Sequence, residues 1–309
     1  MPTLNAPLWR QAAADAAGHQ QYPTGALYVV ATPIGNLADL TLRAIHVLGL
    51  VDAIACEDTR HSATLLRHLD IAKPLLALHA HNERAASEQV CVRLARGERV
   101  ACITDAGTPA ISDPGALLVE AVRRAGHRVV PIPGASSAIA ALSVAGAAAA
   151  DGFRLAGFLP ARGAERQRAI ERIARDPTTT VVFEAPHRIA SLFEALAAAM
   201  PARSVTLARE LTKQFETIET LDAGGLPAWL ATDSNRERGE YVVVVHGTTS
   251  DATAEDRTQH DEMLRTLLAE LPLRQAASLG AALSGASKNA LYTRALELQA
   301  QERGRDEPA

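Results

Sequence analysis

The sequence predicts an α/β protein: a first domain on a mostly parallel sheet, a second on a mixed sheet, and a small helical C-terminal domain. Three observations carry this. Five short apolar runs between Ala26 and Ile132 alternate with stretches of helical periodicity, the pattern of a parallel sheet covered by helices on both faces. From Phe153 strand-like runs follow one another more closely, and beyond Asp256 only helical segments remain. At 309 residues the chain exceeds one typical core, which agrees with this division.

Residues 1–25 are rich in Ala, Gln and Pro with little periodicity and read as a flexible extension. The first domain, residues 26–148, opens with the strand Ala26 to Ala31 and the turn Thr32 to Asn36. Asp39 is placed to cap the helix whose apolar positions are Leu42, Ile45 and Leu48, and Gly49 to end it. A second strand, Ala53 to Glu57, runs into Glu57-Asp58-Thr59-Arg60 and a helix with Leu65, Leu66 and Leu69. Leu75 to Leu78 form a third strand, ending in His79-Ala80-His81-Asn82-Glu83 before a helix to about Arg96. Val100 to Ile103 form the fourth, and a long loop to Gly115 precedes a helix over Ala116 to Arg124. The fifth, Arg128 to Ile132, ends in Pro133 to Ser137 and leads into an Ala-rich helix over Ala138 to Ala150.

The second domain, residues 149–248, has strands in FRLAGFL (from Phe153) and TTVVFEA (from Thr179), separated by a helix over about Ala164 to Arg175. Pro186 suits the first turn of a helix that stops before Pro201. Ser204 to Ala208, Thr217 to Asp222 and Tyr241 to Gly247 are further strands, the last β-branched and central in character. A polar linker over 249–256 precedes helical segments near 257–270, 273–283 and 287–299, within a C-terminal domain 257–309. The last two are joined by Ser284-Gly285-Ala286-Ser287, as in a helix-turn-helix, with Arg274, Lys288 and Arg294 forming a basic side.

A hydrophobic content of 48%, a charged content of 21% and a net charge of −4 are those of an ordinary globular protein. Any grip on nucleic acid then rests on a local basic patch. Cys56, Cys91 and Cys102 match no metal spacing and read as reduced thiols of a cytoplasmic protein. No apolar stretch reaches the roughly 18 residues of a membrane helix, and the N-terminus lacks a signal-peptide pattern. Neither a dinucleotide fingerprint, a phosphate-binding loop, a nucleophile elbow nor a zinc motif occurs, so no metal is expected.

What remains is a set of polar strand ends on one edge of a parallel sheet, where open α/β sheets bind ligands. The fullest is Ile103 to Gly115, ITDAGTPAISDPG, much longer than the usual βα turn of about 2–6 residues. Asp105, Thr108, Ser112 and Asp113 offer hydrogen bonds to an amino-acid moiety, with Asp105 and Asp113 also suited to shaping the loop and capping the following helix. Ser136 and Ser137 begin a helix, as ligand contacts or simple N-caps.

VATPIGNLADLTLRAIHVL, EDTR (Glu57 to Arg60), ITDAGTPAISDPG and IPGASSAIAALSVAG together resemble the tetrapyrrole-methylase superfamily. FEAPHR (Phe183 to Arg188) and ARELTK (Ala208 to Lys213) resemble its ribosomal RNA branch, the 16S rRNA (cytidine-2′-O)-methyltransferases. The resemblance spans roughly Ala26 to Gly247. It implies two α/β domains with S-adenosyl-L-methionine between them, a homodimer, and 16S ribosomal RNA or the small subunit as partner. Much of the superfamily carries Gly-Asp-Pro where this chain has Gly107-Thr108-Pro109, which weighs against the rival reading of a tetrapyrrole C-methylase. A third reading is an inert RNA-binding factor on the same fold. By position, the cofactor contacts implied are Pro33, Gly107, Thr108, Pro109, Ile111, Ser112, Ser136 and Ser137, with Phe183 and Ala208 from the second domain.

Transfer to a 2′-hydroxyl needs in-line positioning, a proton acceptor, or a cation beside the developing oxyanion. Candidates lie in the clusters expected to border the cleft: Glu57, Asp58 and Arg60; His79 and Asn82; Glu184, His187 and Arg188; and Arg209, Glu210 and Lys213. Glu57, Asp58 and Arg60 read equally as a structural ion-pair and cap set. His187 and Arg188 oppose the dipole at a helix start, which suggests phosphate contact. Between Arg162 and Arg175 five arginines face two glutamates. Arg162, Arg166 and Arg168 are the RNA-binding candidates there, unless this is a solvated face, and Arg274 and Lys288 are a second handle.

Overall fold

Five parallel strands form the first sheet of the computed structural model, which describes residues 5–146, 152–248 and 254–303. They are β1 (Ala26–Val30), β2 (Ala53–Cys56), β3 (Leu75–Ala77), β4 (Val100–Ile103) and β5 (Arg128–Ile132), in spatial order β3-β2-β4-β1-β5. The runs in β2 and β4 are apolar on both faces because helices cover both. On one side α1 (Ala6–Ala17), α2 (Leu42–Leu50) and α3 (Thr59–His68) supply Ala13, Ile45, Leu48 and Leu65. On the other, α4 (Glu83–Ala95) and α5 (Ala116–Arg124) supply Val90, Leu94, Leu118 and Val122. Pairing of β4 with β1 sets the loops that follow these strands side by side.

Four readings of this half need correction. The stretch read as a flexible extension contains α1, capped by the Asn5 side chain accepting from Leu8 N at 3.3 Å and buried against α2 through Ala13 and Ala17. Asp39 does not cap α2, because it lies in the 3-10 turn Leu37–Asp39, and Thr41 Oγ1 accepts from Ala44 N at 3.1 Å instead. Gly49 does not end that helix, which continues to Leu50. The Ala-rich helix α6 (Ser137–Ala145) stops at Gly146 in the left-handed region, and residues 147–150 of that reading lie outside the described residues.

The second sheet is mixed, in order β6-β7-β10-β8-β9. Its strands are β6 (Phe153–Phe158), β7 (Thr179–Glu184), β8 (Ser204–Arg209), β9 (Thr217–Asp222) and β10 (Tyr241–Val245). Only β6 and β7 pair in parallel, and the β-branched β10 is central. One face packs on α7 (Gly163–Arg175), α8 (Ile189–Ala199) and α9 (Leu226–Ala231). The other receives α6 from the first half. Ile34, Ala138, Ala141 and Ala145 meet Val181, Ala208, Val242 and Val244 in one buried layer, so residues 1–247 form one compact unit.

Residues 248–309 form the second unit. Its helices are α10 (Ala254–Glu270), α11 (Leu273–Ser284) and α12 (Lys288–Arg303), closed around Leu264, Ala277, Leu291, Ala295 and Leu298. Arg294 forks onto Asp261 at 2.8 and 2.7 Å. Of the expected linker, 249–253 lie outside the described residues and 254–256 are helical. No helix among the described residues is long and apolar enough to cross a membrane.

Candidate functional site

Backbone pairing joins the ends of β1 and β4. Thr32 N donates to Gly107 O at 2.9 Å and Gly107 N to Thr32 O at 3.1 Å. Thr32 Oγ1 adds a bond to Thr104 O at 3.0 Å. Thr108 Oγ1 donates to Ala135 O at 3.0 Å and ties in the loop after β5. Three loops distant in sequence are thus fastened into one wall. Gly107 has φ +86°, and an added Cβ would fill the space between Ile34 Cγ2 (3.4 Å) and Ala135 O (3.8 Å), so a side chain there would both strain the backbone and close the gap. The loop also holds Ala110 at φ +65°, a strain that persists only where surroundings impose it.

The far end of the loop is anchored from α4. Buried Glu83 turns Oε1 onto Gly115 N (2.8 Å), Leu117 N (2.9 Å) and Leu118 N (3.4 Å), capping α5. Asp113, expected to cap that helix, does not. Ser136 stands at the N-cap of α6 but makes no capping bond, and Ser137 follows in its first turn, half-buried. The start of that helix therefore carries no side-chain cap. Pro33 and Thr108 are half-buried, Gly107 and Pro109 buried, and Ile111 and Ser112 exposed along the same wall. Phe183, half-buried, and Ala208, buried, join it through the layer shared with Ile34 and Ala135.

The acidic edge beside this wall separates into roles. Asp58 caps α3, accepting from Arg60 N at 2.8 Å, and pairs with the Arg60 guanidinium at 2.9 Å. Those bonds to Arg60 hold the Asp58 carboxyl down at about 2, a poor proton acceptor. Here the ion-pair and cap reading of Asp58 and Arg60 prevails. Glu57 is different: burial pushes its carboxyl up, against the opposing bond from Thr104 Oγ1 at 3.2 Å, and the neighbouring Asp113, Asp105 and Asp58 push it further. Burial raises Asp113 likewise. Asp105 Oδ1 accepts from Asp58 N at 3.3 Å, linking the loop to the end of β2.

The second sheet corrects several expectations. Glu184 is fully buried between Arg166 (3.0 Å) and Arg188 (2.9 Å), so it is the centre of a clamp and not a proton acceptor. Arg166 is buried and cannot face RNA; it also donates to Pro160 O at 3.1 Å, while Arg188 donates to Leu159 O at 2.6 Å. Arg209 is likewise spent on Arg238 O (2.7 Å) and Asn235 O (2.6 Å). Lys213 bridges Glu210 (2.8 Å) and Glu240 (2.9 Å); burial disfavours its charge, but those two partners outweigh burial and raise its pKa. Its stem lies beside the first wall, since a Cβ on Gly35 would come within 2.5 Å of Lys213 Cγ. Glu210 and Thr212, on the same loop, hold φ +51° and +66°. Asn82 is structural, accepting from His79 N at 2.8 Å and donating to Ala77 O at 2.9 Å.

His187, Arg162 and Arg168 are exposed, as are Arg274 and Lys288 on the second unit. Among the described residues no cluster of three or more His, Cys, Asp or Glu side chains is arranged to hold a metal. Sequence reasoning missed Glu83 as the loop anchor, Thr104 as the partner of Glu57, and Thr32 as a two-way bridge. Only Thr32 carried a signal, its place between a buried strand and Pro33.

Comparison with known proteins places this geometry. Residues 26–227 match the model of the Tetrapyrrole (Corrin/Porphyrin) Methylases, and residues 254–299 that of the RsmI C-terminal HTH domain. Ribosomal RNA small subunit methyltransferase I of Escherichia coli O157:H7 is 48% identical over 279 residues, 89% of this chain and 96% of that protein. The protein of the same name from Pseudomonas aeruginosa PAO1 is 48% identical over 280 residues, covering 89% and 98%. Among solved structures, the methyltransferase CobJ overlays with a TM-score of 0.54 at 19% identity, covering 72% of this chain and 95% of its own. The cobalt precorrin-4 methyltransferase CbiF gives 0.53 at 17%, covering 73% and 98%. At such identities these two speak for the fold alone. The chain belongs to the tetrapyrrole methylase family and, within it, to the group of ribosomal RNA small subunit methyltransferase I.

Proposed function

We propose that this protein transfers a methyl group from S-adenosyl-L-methionine to the ribose 2′-hydroxyl of a cytidine in 16S ribosomal RNA, working in the cytoplasm as a homodimer on the RNA or the small subunit. The observation that carries the reading is the wall built by Thr32, Gly107, Thr108 and Ala135, in a chain nearly half identical to proteins named as small-subunit RNA methyltransferases. The sulfonium of the donor supplies a methyl group already activated for transfer. The residues then have three tasks. Gly107, Thr108 and Pro109 give backbone a close approach to the donor, and the free start of α6 at Ser136 and Ser137 favours its carboxylate. Glu57, kept more basic than Asp58 by burial and acidic neighbours, is the carboxylate we assign to the proton of the 2′-hydroxyl. Exposed Arg162, Arg168 and His187 suit phosphate contact.

The reading is tested by incubating the protein, a labelled methyl donor and small subunits lacking the modification, then locating label after digestion to nucleosides. Label on a cytidine ribose is expected, and a folded, donor-binding protein that leaves the RNA unlabelled refutes it. Glu57→Gln should cut the single-turnover rate while the donor still binds.

A further inference from the structure

Phe158 is an exposed aromatic that the roles above do not use. It ends the edge strand β6 with 60% of its surface open to solvent, an expensive place for a ring unless something covers it. Its direction is built in. Leu155 pairs with Val181, Gly157 with Val182 and Phe158 with Phe183, so an extra residue bulges between Leu155 and Gly157. Strict alternation would send Phe158 to the face opposite Leu155; the bulge, with Gly157 at φ +65°, returns it to the same face. There the rings of Phe158 and Phe183 lie 5.6 Å apart at 60°.

Its surroundings fix the ring and identify what it meets. A Cβ on Gly157 would stand 3.8 Å from Ser112 Oγ, so the bulge abuts the long loop after β4. The next two residues, Leu159 and Pro160, give their carbonyls to Arg188 and Arg166, both held by buried Glu184. The clamp that sequence alone suggested for chemistry thus sets the position of Phe158. Four residues on, Arg162 is exposed and suited to a phosphate.

We propose that Phe158 is the platform on which a nucleobase of the single-stranded RNA substrate stacks, holding the adjoining ribose at the methyl donor. This rests on the function proposed above. A flat, open, apolar face beside the donor loop and a cationic side chain downstream are the pairing that single-stranded nucleic acid needs: stacking for the base and charge for the backbone.

The test compares Phe158→Ala, Phe158→Leu and Phe158→Tyr with the unaltered protein. Affinity for a short single-stranded RNA containing the target is read by fluorescence anisotropy, donor affinity by calorimetry, mass by analytical ultracentrifugation and methylation by label transfer. Phe158→Ala and Phe158→Leu should weaken RNA binding by about 5- to 150-fold, the range spanned by base–aromatic stacking. Phe158→Tyr should restore it, with donor affinity and mass unchanged throughout. RNA affinity within about twofold of the parent in Phe158→Ala overturns the proposal. So does a selective loss of donor binding, which would place the ring on the donor, or a drop in mass, which would place it between two copies. An unaltered protein that binds donor but methylates no RNA overturns the underlying function itself, and shows in a separate arm.

Discussion

Removing the Glu83 carboxylate should loosen the long loop from its far end. Oε1 accepts from Gly115 N and Leu117 N at 2.8 and 2.9 Å and more weakly from Leu118 N at 3.4 Å, and Gly115 and Leu118 are buried. Glu83→Ala leaves these donors unpaired and removes a negative charge from the start of α5. A hydrogen bond to a charged group contributes about 1.5–3 kcal/mol, and a buried donor left bare costs about 1–3 kcal/mol. With two short bonds and one long one, a loss of about 3–4 kcal/mol follows. For a unit of this size that is a fall in Tm of roughly 6–16 °C. Glu83→Gln keeps one acceptor oxygen and should lose about half as much. Urea unfolding of the two variants and the parent measures this directly, and KM for the methyl donor should rise in the same order. A change below about 0.5 kcal/mol in Glu83→Ala, or a Gln variant as damaged as the Ala variant, would refute the anchoring role.

Thr108→Arg should abolish donor binding in calorimetry with the circular dichroism spectrum unchanged, since it replaces the hydroxyl that bonds Ala135 O with a bulky cation. Glu184→Gln breaks a buried pair on one side and strands Arg166 and Arg188, which should cost about 3–5 kcal/mol in chemical denaturation. Glu57 has a folded-state pKa above its ordinary value, so the folded protein binds the extra proton and stability falls as pH rises through that window. Glu57→Gln, which cannot ionise, should therefore unfold at a higher temperature than the parent at pH 7 and lose that advantage below about pH 4. Asp261→Asn removes the charge that Arg294 grips; the Asp261 pKa is depressed by that bond, so the stability it confers on the helical unit is present at neutral pH and lost in acid. Hydrogen exchange in α10 and α12 should quicken in the variant at pH 7 and match the parent in acid.

Much of this architecture was legible in the sequence because strands buried on both faces must be continuous apolar runs, as in Ala53 to Cys56 and Val100 to Ile103. The long loop stood out because turn-forming residues are concentrated there beyond the needs of a turn. Side chains whose partners lie far along the chain were not legible. Glu83 acts on amides 32 to 35 residues away, and nothing near it marks that task. Helical spacing could have sorted the arginines: Arg166 shares a face with Ile170 and Ile173, and all three are buried, whereas Arg162 and Arg168 are not. α1 was missed because its inward face is made of Ala13 and Ala17, too small to give strong periodicity.

The layer in which α6 meets the second sheet has a consequence for how this protein can be divided. Ala138, Ala141 and Ala145 belong by sequence to the first half but find their cover on Val181, Val242 and Val244. A scissile bond introduced between residues 146 and 152 would give two fragments, each with an apolar face bared to water. Such pieces would be expected to precipitate apart and to regain solubility only on recombination. A foreign sheet put in place of either one would have to cover the same alanine ridge.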